Sequence, residues 1–570
     1  MSGGVRGQGA APPRPSLHSG GATAFRGETV AERVSSLSMP MPAGTDHVMD
    51  GSAHHEHHTM TEAGEMLMEG LPAEWAWLVG GGFLLLCFWA LWVPVSEPRP
   101  AKGLDVTRLP LLGHCLQGLT RTPWLLVALR MASVALFLLV VAAGLFGTPV
   151  PGQNAATLLT WNLWWTAVIF SVFLFGSAWC AICPWDTLAG WLVRRRVWGR
   201  GSISGSLELS VPSSLWGVWV ATAAFLFLSW LELGFGLTVD PYATAVLALV
   251  MVLVATLSMA VFRRKAFCRH FCPVGRTIGA YSQLAPVALR PRQPAVCDGC
   301  TTLECYHGTQ RVEPCPTSLV MGRLRENTYC TSCGNCTQSC PHHNVGWRLR
   351  PPSQEAMIEA RSHWDEAWFM LALLSVTLFH GVTMLPPWEE AVRSIALWLG
   401  GSGRLIPGFT VGMFLVCLLP VLLYGAVVAV THHLLGKSIS YHDLFSGLAF
   451  VTLPLAFGYH LAHNVMHVGT ETRGVGGVLV DPFGLDAEPL SMQVMMEWMN
   501  DPLLPPFLLH LAQSFLLLFG FWLAMLVLRH RARALLGDDR RHMGPLLLFA
   551  LLVGGGELWL LAQPMLMRFQ

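Results

Sequence analysis

The chain has 570 residues, of which 53% are hydrophobic and only 12% are charged, and its mean hydropathy is +0.47. This composition excludes a soluble protein of several globular domains and favours one whose solvent is the lipid bilayer. Lysine and arginine number 36 against 35 acidic residues, so the charge balance gives no indication of a nucleic-acid partner.

The first segment, residues 1–70, is rich in Gly, Pro, Ser, Ala and His and has no apolar run of signal-peptide type, which predicts a disordered tail on the outer side. Its later part contains a tract of imidazole and thioether side chains, the ligands that suit copper. The alternatives are metal capture and an incidental run in a disordered tail. The tract consists of His47, Met49, His54, His55, His57, His58, Met60, Met66 and Met68.

Ten apolar stretches follow, each long enough to cross the membrane as a helix, for which ~20 residues are needed. The sequence therefore predicts an all-α polytopic membrane protein with a five-span N-terminal membrane domain (71–262), a polar insertion (263–350) and a five-span C-terminal membrane domain (351–570). The predicted spans are 75–95, 123–147, 157–180, 213–236, 241–262, 366–386, 405–431, 443–468, 505–529 and 545–566.

Basic residues are concentrated in alternate short loops, and excess Lys and Arg marks cytoplasmic loops. The flank before the first span carries glutamates and no Lys or Arg, whereas the loop after it carries Arg99 and Lys102. We therefore expect both termini outside and the insertion in the cytoplasm, as in a bacterial inner-membrane protein. The later basic residues that follow this alternation are Arg194, Arg195, Arg196, Arg263, Arg264, Lys265, Lys437, Arg529, Arg531, Arg533, Arg540 and Arg541.

Two cysteine pairs lie at the inner ends of the third and fifth spans, and each pair ends in a Cys-Pro dipeptide. They are Cys180 with Cys183, and Cys268 with Cys272. Both adjoin basic residues, which lower thiol pKa values. Three interpretations stay open: a third iron-sulfur or other metal centre, a redox-active dithiol pair, and a structural motif in which proline merely ends the helix.

The insertion contains eight more cysteines in two runs. The second run has the spacing C-x2-C-x2-C-x3-C-P, in which three thiolates bind one cluster and the fourth binds a neighbouring cluster. This spacing predicts a small α+β ferredoxin-like module with two [4Fe-4S] clusters, and structural zinc is the alternative. The predicted ligand sets are Cys297, Cys300, Cys305 and Cys340 for one cluster, and Cys315, Cys330, Cys333 and Cys336 for the other.

Paired Cys-Pro motifs at inner helix ends, followed by a two-cluster segment, resemble the polyferredoxin-type membrane proteins of nitrate and nitrous oxide respiration and the iron-sulfur proteins of cytochrome oxidase assembly. The resemblance covers about residues 157–350. It implies a membrane iron-sulfur architecture but no substrate, because that group includes both quinol-oxidising electron donors and metal-centre assembly factors. The two motifs differ in spacer length, and no flavin-binding domain precedes the membrane part, so a flavin route is not implied.

Histidines mark the C-terminal membrane half. At ~100° per residue, His460, His463 and His467 fall within a sector of about 60° on one helix face. On the predicted topology they lie near the outer interface, as do His380 and His510. The alternatives are a b-type haem between facing helices, a quinol site, a copper or iron site, and structural hydrogen bonding.

These features together predict an electron-transfer component of an oxidoreductase system. It would pass electrons between the quinone pool and a redox partner protein, which the sequence does not identify, through two [4Fe-4S] clusters. The alternative from another class is an accessory protein that reduces or delivers copper during assembly of a respiratory enzyme.

Overall fold

The described residues all fall within His58–Gln570. Outside the described residues lie Cys115 and the His- and Met-rich tract up to Met66. The structure, a computed structural model, describes residues 67–94, 104–108, 110, 113, 118, 122–194, 205–401, 404–436, 438–486, 503–537 and 539–566.

Nine helical segments of the described residues are long and apolar enough to cross a membrane. The fourth predicted span is a shorter helix, Trp219–Phe235, because Gly217 interrupts the chain with a φ of 84° and Ser213–Leu215 forms a separate 3-10 turn. The nine segments are Ala73–Trp92, Trp124–Phe146, Ala155–Arg194, Pro241–Val261, Trp364–Thr383, Leu405–Leu434, Tyr441–Gly469, Pro506–Leu536 and Arg541–Ala562.

Several of these segments are interrupted by turns, so they contain more than one helix. Within the described residues, π-helical turns occur at Leu158–Trp165, Phe267–Phe271 and Glu355–Glu359. The α-helices in chain order are α1 (Ala73–Trp92), α2 (Pro123–Phe146), α3 (Ala155–Thr157), α4 (Thr166–Phe175), α5 (Trp179–Ile182), α6 (Pro184–Arg194), α7 (Trp219–Phe235), α8 (Pro241–Val261), α9 (Pro273–Tyr281), α10 (Pro294–Asp298), α11 (Glu304–His307), α12 (Asn335–Ser339), α13 (Trp364–Thr383), α14 (Pro387–Trp398), α15 (Leu405–Leu434), α16 (Tyr441–Leu448), α17 (Thr452–Glu471), α18 (Val475–Val480), α19 (Pro506–Leu536) and α20 (Gly544–Ala562).

The outer helices of the bundle expose apolar side chains. In α1, Trp77 is 82% exposed and Leu85 is 71% exposed. Contiguous apolar surface of this kind is unfavourable in water and suits lipid. The segment Tyr441–Gly469, by contrast, is 94% buried within its most apolar window, so α16 and α17 form the centre of the bundle.

A short strand pair identifies one end of the bundle. Strand β1 (Leu67–Met68), just before α1, pairs antiparallel with β5 (Met565–Leu566), just after α20. The prediction of a disordered tail to residue 70 is therefore wrong at its last residues, because Met68 packs into the main core. The Leu566 amide also donates to the Met384 carbonyl at 2.8 Å, which brings the C-terminal end of α13 to this strand-pair end.

The opposite end carries the cysteine insertion, and we call it the cysteine end. Here Arg529 donates from Nη2 to the Val93 carbonyl at 2.6 Å, which joins the C-terminal ends of α19 and α1. Arg531 donates from Nε to the Ala356 carbonyl at 2.7 Å, which joins α19 to the base of the insertion. These arginines satisfy backbone carbonyls near helix ends, where such groups lack partners.

The insertion folds as a small α+β module. Strand β3 (Val287–Pro291) pairs antiparallel with β4 (Val345–Leu349), from Val287↔Leu349 to Pro291↔Val345, and β2 (Leu104–Asp105) pairs with the other side of β4. The chain therefore enters the module through β3 and leaves it through β4, and these two strands lie side by side. A core that includes Leu289 and Trp347 packs under the cysteine-bearing loops.

Candidate metal centres

The two Cys-Pro motifs near the membrane have the same local structure. Cys183 and Cys272 are both extended, with ψ values of 125° and 111°, and the proline after each one begins a new helix, α6 or α9. Proline is favoured at the first helical position because its missing N–H has no helical partner there. The interpretation in which proline merely ends the span is thus incomplete, because two helix N-termini meet the chain at these cysteines.

All four thiols of these pairs line one cavity of about 20 Å³. We call Cys180, Cys183, Cys268 and Cys272 the membrane cysteine group. A volume of that size holds about one water molecule. Cys330, from the module, lines the same cavity.

Charged residues that the sequence reasoning missed surround this group. Asp186 accepts from the Cys268 thiol at 3.8 Å and forms an ion pair with Lys265. Burial alone would lower the pKa of Lys265, but the neighbouring Asp186 raises it, so the ammonium stays charged. Arg276 lines the cavity and donates from Nη2 to the Cys268 carbonyl at 3.1 Å. The available signal was position: Asp186 and Arg276 stand two and three residues after the two prolines.

Four module cysteines, which we call the outer module group, line a second cavity of about 190 Å³. Asn344 lies against two of them: its backbone amide donates to the Cys340 Sγ at 3.4 Å, and its side-chain amide donates to the Cys297 Sγ at 3.4 Å. Such hydrogen bonds stabilise thiolates and set cluster potentials. The group is Cys297, Cys300, Cys305 and Cys340.

The remaining four cysteines, Cys315, Cys330, Cys333 and Cys336, form the inner module group. Burial raises the pKa of Cys330 to about 12, and its interactions with Cys333 and Cys315 add to that rise. Burial also raises the pKa of Cys336, as do interactions with the other three. Leu319 donates its amide to the Cys315 Sγ at 3.3 Å. Close thiols in a desolvated place can all be ionised only if a cationic centre compensates them.

The three groups follow one another through the protein. Cys330 belongs to the inner module group and also lines the cavity of the membrane cysteine group. Cys336 of the inner group, with Cys305 and Cys340 of the outer group, packs on the core that contains Trp347. The inner module group therefore lies between the other two.

A series of aromatic rings leads from the membrane cysteine group into the bundle. Trp179 lines the cavity, and its ring centroid is 5.5 Å from that of Trp164. Trp164 is 6.0 Å from Trp165, which is 5.9 Å from the imidazole of His460. The His460 Nδ1 lies 3.3 Å from the hydroxyl of Tyr281, at the end of α9.

The structure brings three of the five predicted histidines together. His380 of α13 meets His463 and His467 of α17, with all ligand atoms within 4.8 Å of one another. His460 turns instead towards Tyr281. His510 lies elsewhere, with its ring 6.4 Å from that of Trp75. The histidines on one face of α17 thus lie in two different environments: His463 and His467 beside His380, and His460 beside Tyr281.

Comparison with known proteins bears on the membrane cysteine group. A family described as a 4Fe-4S binding domain matches residues 157–203 and 244–284, which contain all four thiols of that group. A protein of Escherichia coli (strain K12) named electron transport protein YccM is 30% identical over 159 residues. The first finding associates the membrane cysteine group with 4Fe-4S binding, and the second shows similarity to a protein named for electron transport.

The matched regions are limited in extent. The alignment covers 27% of this chain and 41% of the Escherichia coli relative, so the chain spans about two fifths of that relative's length. The matched family segments end before the eight module cysteines. No solved structure matches the chain. With the nine apolar helices, these findings support an integral membrane protein with iron-sulfur chemistry.

Proposed function

We propose that the protein passes electrons between a quinone in the bundle and a redox partner at the module surface, through three [4Fe-4S] clusters. The observation that carries this proposal is the position of Cys330, which belongs to one cysteine group and lines the cavity of another. Twelve thiols in three adjoining groups of four supply the ligands of three such clusters.

The donor sets fit iron-sulfur clusters better than zinc. Structural zinc sites are usually separate tetrahedral sites, whereas the module runs exchange their fourth ligands between two neighbouring sets. The match of the membrane cysteine group to a 4Fe-4S binding domain favours the same chemistry there. Because the cavity of that group is small, we expect the four cysteine side chains to move apart when a cluster is bound between them. A bound cluster supplies a one-electron carrier.

The charges around the groups suit an anionic centre. Arg276 and the N-terminus of α9 face the membrane cysteine group, where the Gly275 amide donates to the Cys272 Sγ at 3.2 Å. Lys265 neutralises Asp186, which contacts Cys268. Arg264 donates to the Cys315 carbonyl at 3.0 Å beside the inner module group. Positive groups and N–H donors near thiolates stabilise the reduced state of a cluster.

The quinone assignment rests on Tyr281 and His460. They form a partly buried donor–acceptor pair between α9 and α17, in which Tyr281 is fully buried, and quinone reduction needs groups that exchange protons in an apolar place. The helix α9 begins at the membrane cysteine group and ends at Tyr281. The Trp164 and Trp165 rings connect the same two places.

The test is electron exchange with a quinone analogue. Protein in lipid nanodiscs, reduced anaerobically and freed of reductant, is mixed with a short-chain quinone, and cluster absorbance is followed by stopped flow. We expect Cys180→Ala to abolish quinone-linked reoxidation while a water-soluble oxidant still reoxidises the module clusters. Cys417→Ala, in α15 and outside the three groups, is the matched control and should behave as wild type.

Two further variants separate quinone chemistry from cluster loss. Tyr281→Phe and His460→Gln should slow the quinone step without changing iron content, because neither residue is a cluster ligand in this proposal. Unchanged quinone rates in all three variants would contradict the proposal.

A further inference from the structure

A second type of site lies at the other end of the bundle. His463 and His467 stand one turn apart on α17, and their Nε2 atoms are 3.1 Å from each other. His380 reaches them from α13, with its ring centroid 4.9 Å from that of His463. Two helices far apart in the sequence thus present three imidazoles to one point.

We infer that His380, His463 and His467 bind a single copper(I) ion. This inference does not depend on the proposed electron path.

The distances fit one shared ion. Imidazole nitrogens bind first-row metals at about 2.0–2.1 Å, so two nitrogens on one tetrahedral ion are about 3.3 Å apart. The observed 3.1 Å between His463 and His467 is close to that value. A hydrogen bond between these two imidazoles is also compatible with this distance, so the fit to one ion rests on a nitrogen of the third imidazole, His380, lying within 4.8 Å of both.

Burial provides an independent observation. His463 is 3% exposed, and its Nδ1 has no hydrogen-bond partner among the described residues. The hydroxyl of Tyr459, whose ring stacks 5.8 Å from that of His463, is also buried without a partner there. An ion held through Nε2 does not occupy Nδ1, so these two groups mark a buried polar place beside the imidazoles and are not themselves metal ligands.

The charge of the donors favours copper(I). Three neutral imidazoles bring no negative charge, and the cost of placing an ion in a low-dielectric interior rises with its charge. Imidazole suits copper, zinc, iron and nickel as divalent ions, but among these metals copper also has a stable monovalent state. The desolvation free energy of placing copper(I) at this site is therefore lower than that of placing zinc(II) there.

Position separates this site from the cysteine centres. The hydrogen bond from Leu566 to Met384, four residues after His380, places the three histidines near the strand-pair end. The cysteine groups lie at the opposite end. The chain reaches the strand-pair end at β1, directly after the sequence tract that contains His54, His55, His57 and His58.

The test is anaerobic copper(I) titration of the full-length protein with its iron-sulfur clusters in place, in competition with a chromophoric copper(I) chelator that first removes any bound copper. A background in which His47, Met49, His54, His55, His57, His58, Met60 and Met66 are alanine removes the copper-suited side chains of the tail that precede β1. In that background we expect one tight site per chain. His463→Gln should weaken it by more than about 100-fold, because even second-shell changes weaken metal sites 10–100-fold.

Control variants keep the result interpretable. His510→Gln, which changes a histidine outside the cluster, and Cys180→Ala should both retain the copper site. If His463→Gln does not fold, as judged by its iron content, X-ray absorption of copper-loaded wild type decides, with three nitrogen ligands expected near 2.0 Å. Equal copper binding by His463→Gln, or tight zinc(II) binding with no copper(I) binding, would overturn the inference.

Discussion

The two ends of the bundle hold different ligand chemistry in different ways. At the cysteine end, twelve thiols lie in loops and helix starts that the chain builds locally, and each group is compact in sequence or repeats a Cys-Pro turn. At the strand-pair end, three histidines come from the C-terminal parts of two long helices. Loop ligands can adapt to a large cluster, whereas imidazoles on packed helices are fixed at a spacing that suits one ion.

The largest expected effect comes from removing one thiol of the inner module group. Cys333→Ala should lose about four iron atoms per chain and stop electron transfer to the module surface, because the cluster between the other two would be absent. Iron analysis with low-temperature EPR measures this loss. Retention of every cluster would mean that the ligand sets are wrong, and the histidine end should keep its copper in either case.

The next effect concerns the membrane cysteine group. Cys180→Ala should also lose about four iron atoms but leave both module clusters with unchanged EPR signals, because neither module ligand set includes Cys180. An iron content equal to wild type would favour a redox-active dithiol at this place. Cys87→Ala, a buried cysteine of α1, provides the control.

A smaller effect should come from the base of the module. Glu355 is 0% exposed, and its Oε2 binds Arg290 at 3.1 Å and Arg350 at 2.8 Å. Glu355→Gln leaves these buried cations without their main partner, so the free energy of unfolding should fall by about 3 kcal/mol. Denaturant titration, followed by loss of cluster absorbance, measures the change.

The matched control is an exposed ion pair on α14. Glu389 binds Arg393 at 3.1 Å with both side chains more than half exposed. Glu389→Gln should cost no more than about 0.5 kcal/mol, because solvent screens such pairs. Equal effects of the two substitutions would show that the buried network does not stabilise the module.

The smallest expected effect is on a reduction potential. The hydroxyl of Thr317, which is buried, lies 3.8 Å from the Cys315 Sγ. Thr317→Val removes one donor that stabilises the reduced cluster, so the potential should fall by about 40 mV, which corresponds to about 1 kcal/mol for one electron. Thr302→Val, at the same distance from Cys300 but exposed, should shift its potential less, because water replaces the hydroxyl.

The sequence predicted the architecture well where the signals are local. Nine of the ten predicted spans correspond to apolar helices of sufficient length, because ~20 consecutive apolar residues are visible without tertiary information. The helix in the predicted span 213–236 is shorter than predicted, because Gly217 prevents it from starting earlier and hydropathy does not reveal such a turn. The β1–β5 pair was missed because two-residue strands leave no periodic pattern.

In the candidate sites, too, features with a local sequence signal were predicted and features that depend on tertiary packing were not. Spacing alone grouped the outer module cysteines, which the structure places around one cavity. Spacing on α17 placed His460 and His463 on one face, but it could not show that His463 meets His380 while His460 meets Tyr281, because that choice depends on which helices pack on each side. Asp186 and Arg276 were missed because their only signal, a position two or three residues after a proline, does not by itself predict a charge beside the thiols.

The most direct test of the three-cluster proposal is the content of iron and acid-labile sulfide per chain in anaerobically purified protein. Three clusters predict about 12 iron and 12 sulfide per chain. About 8 of each would contradict a cluster on the membrane cysteine group, and zinc without sulfide would contradict iron-sulfur chemistry at every group.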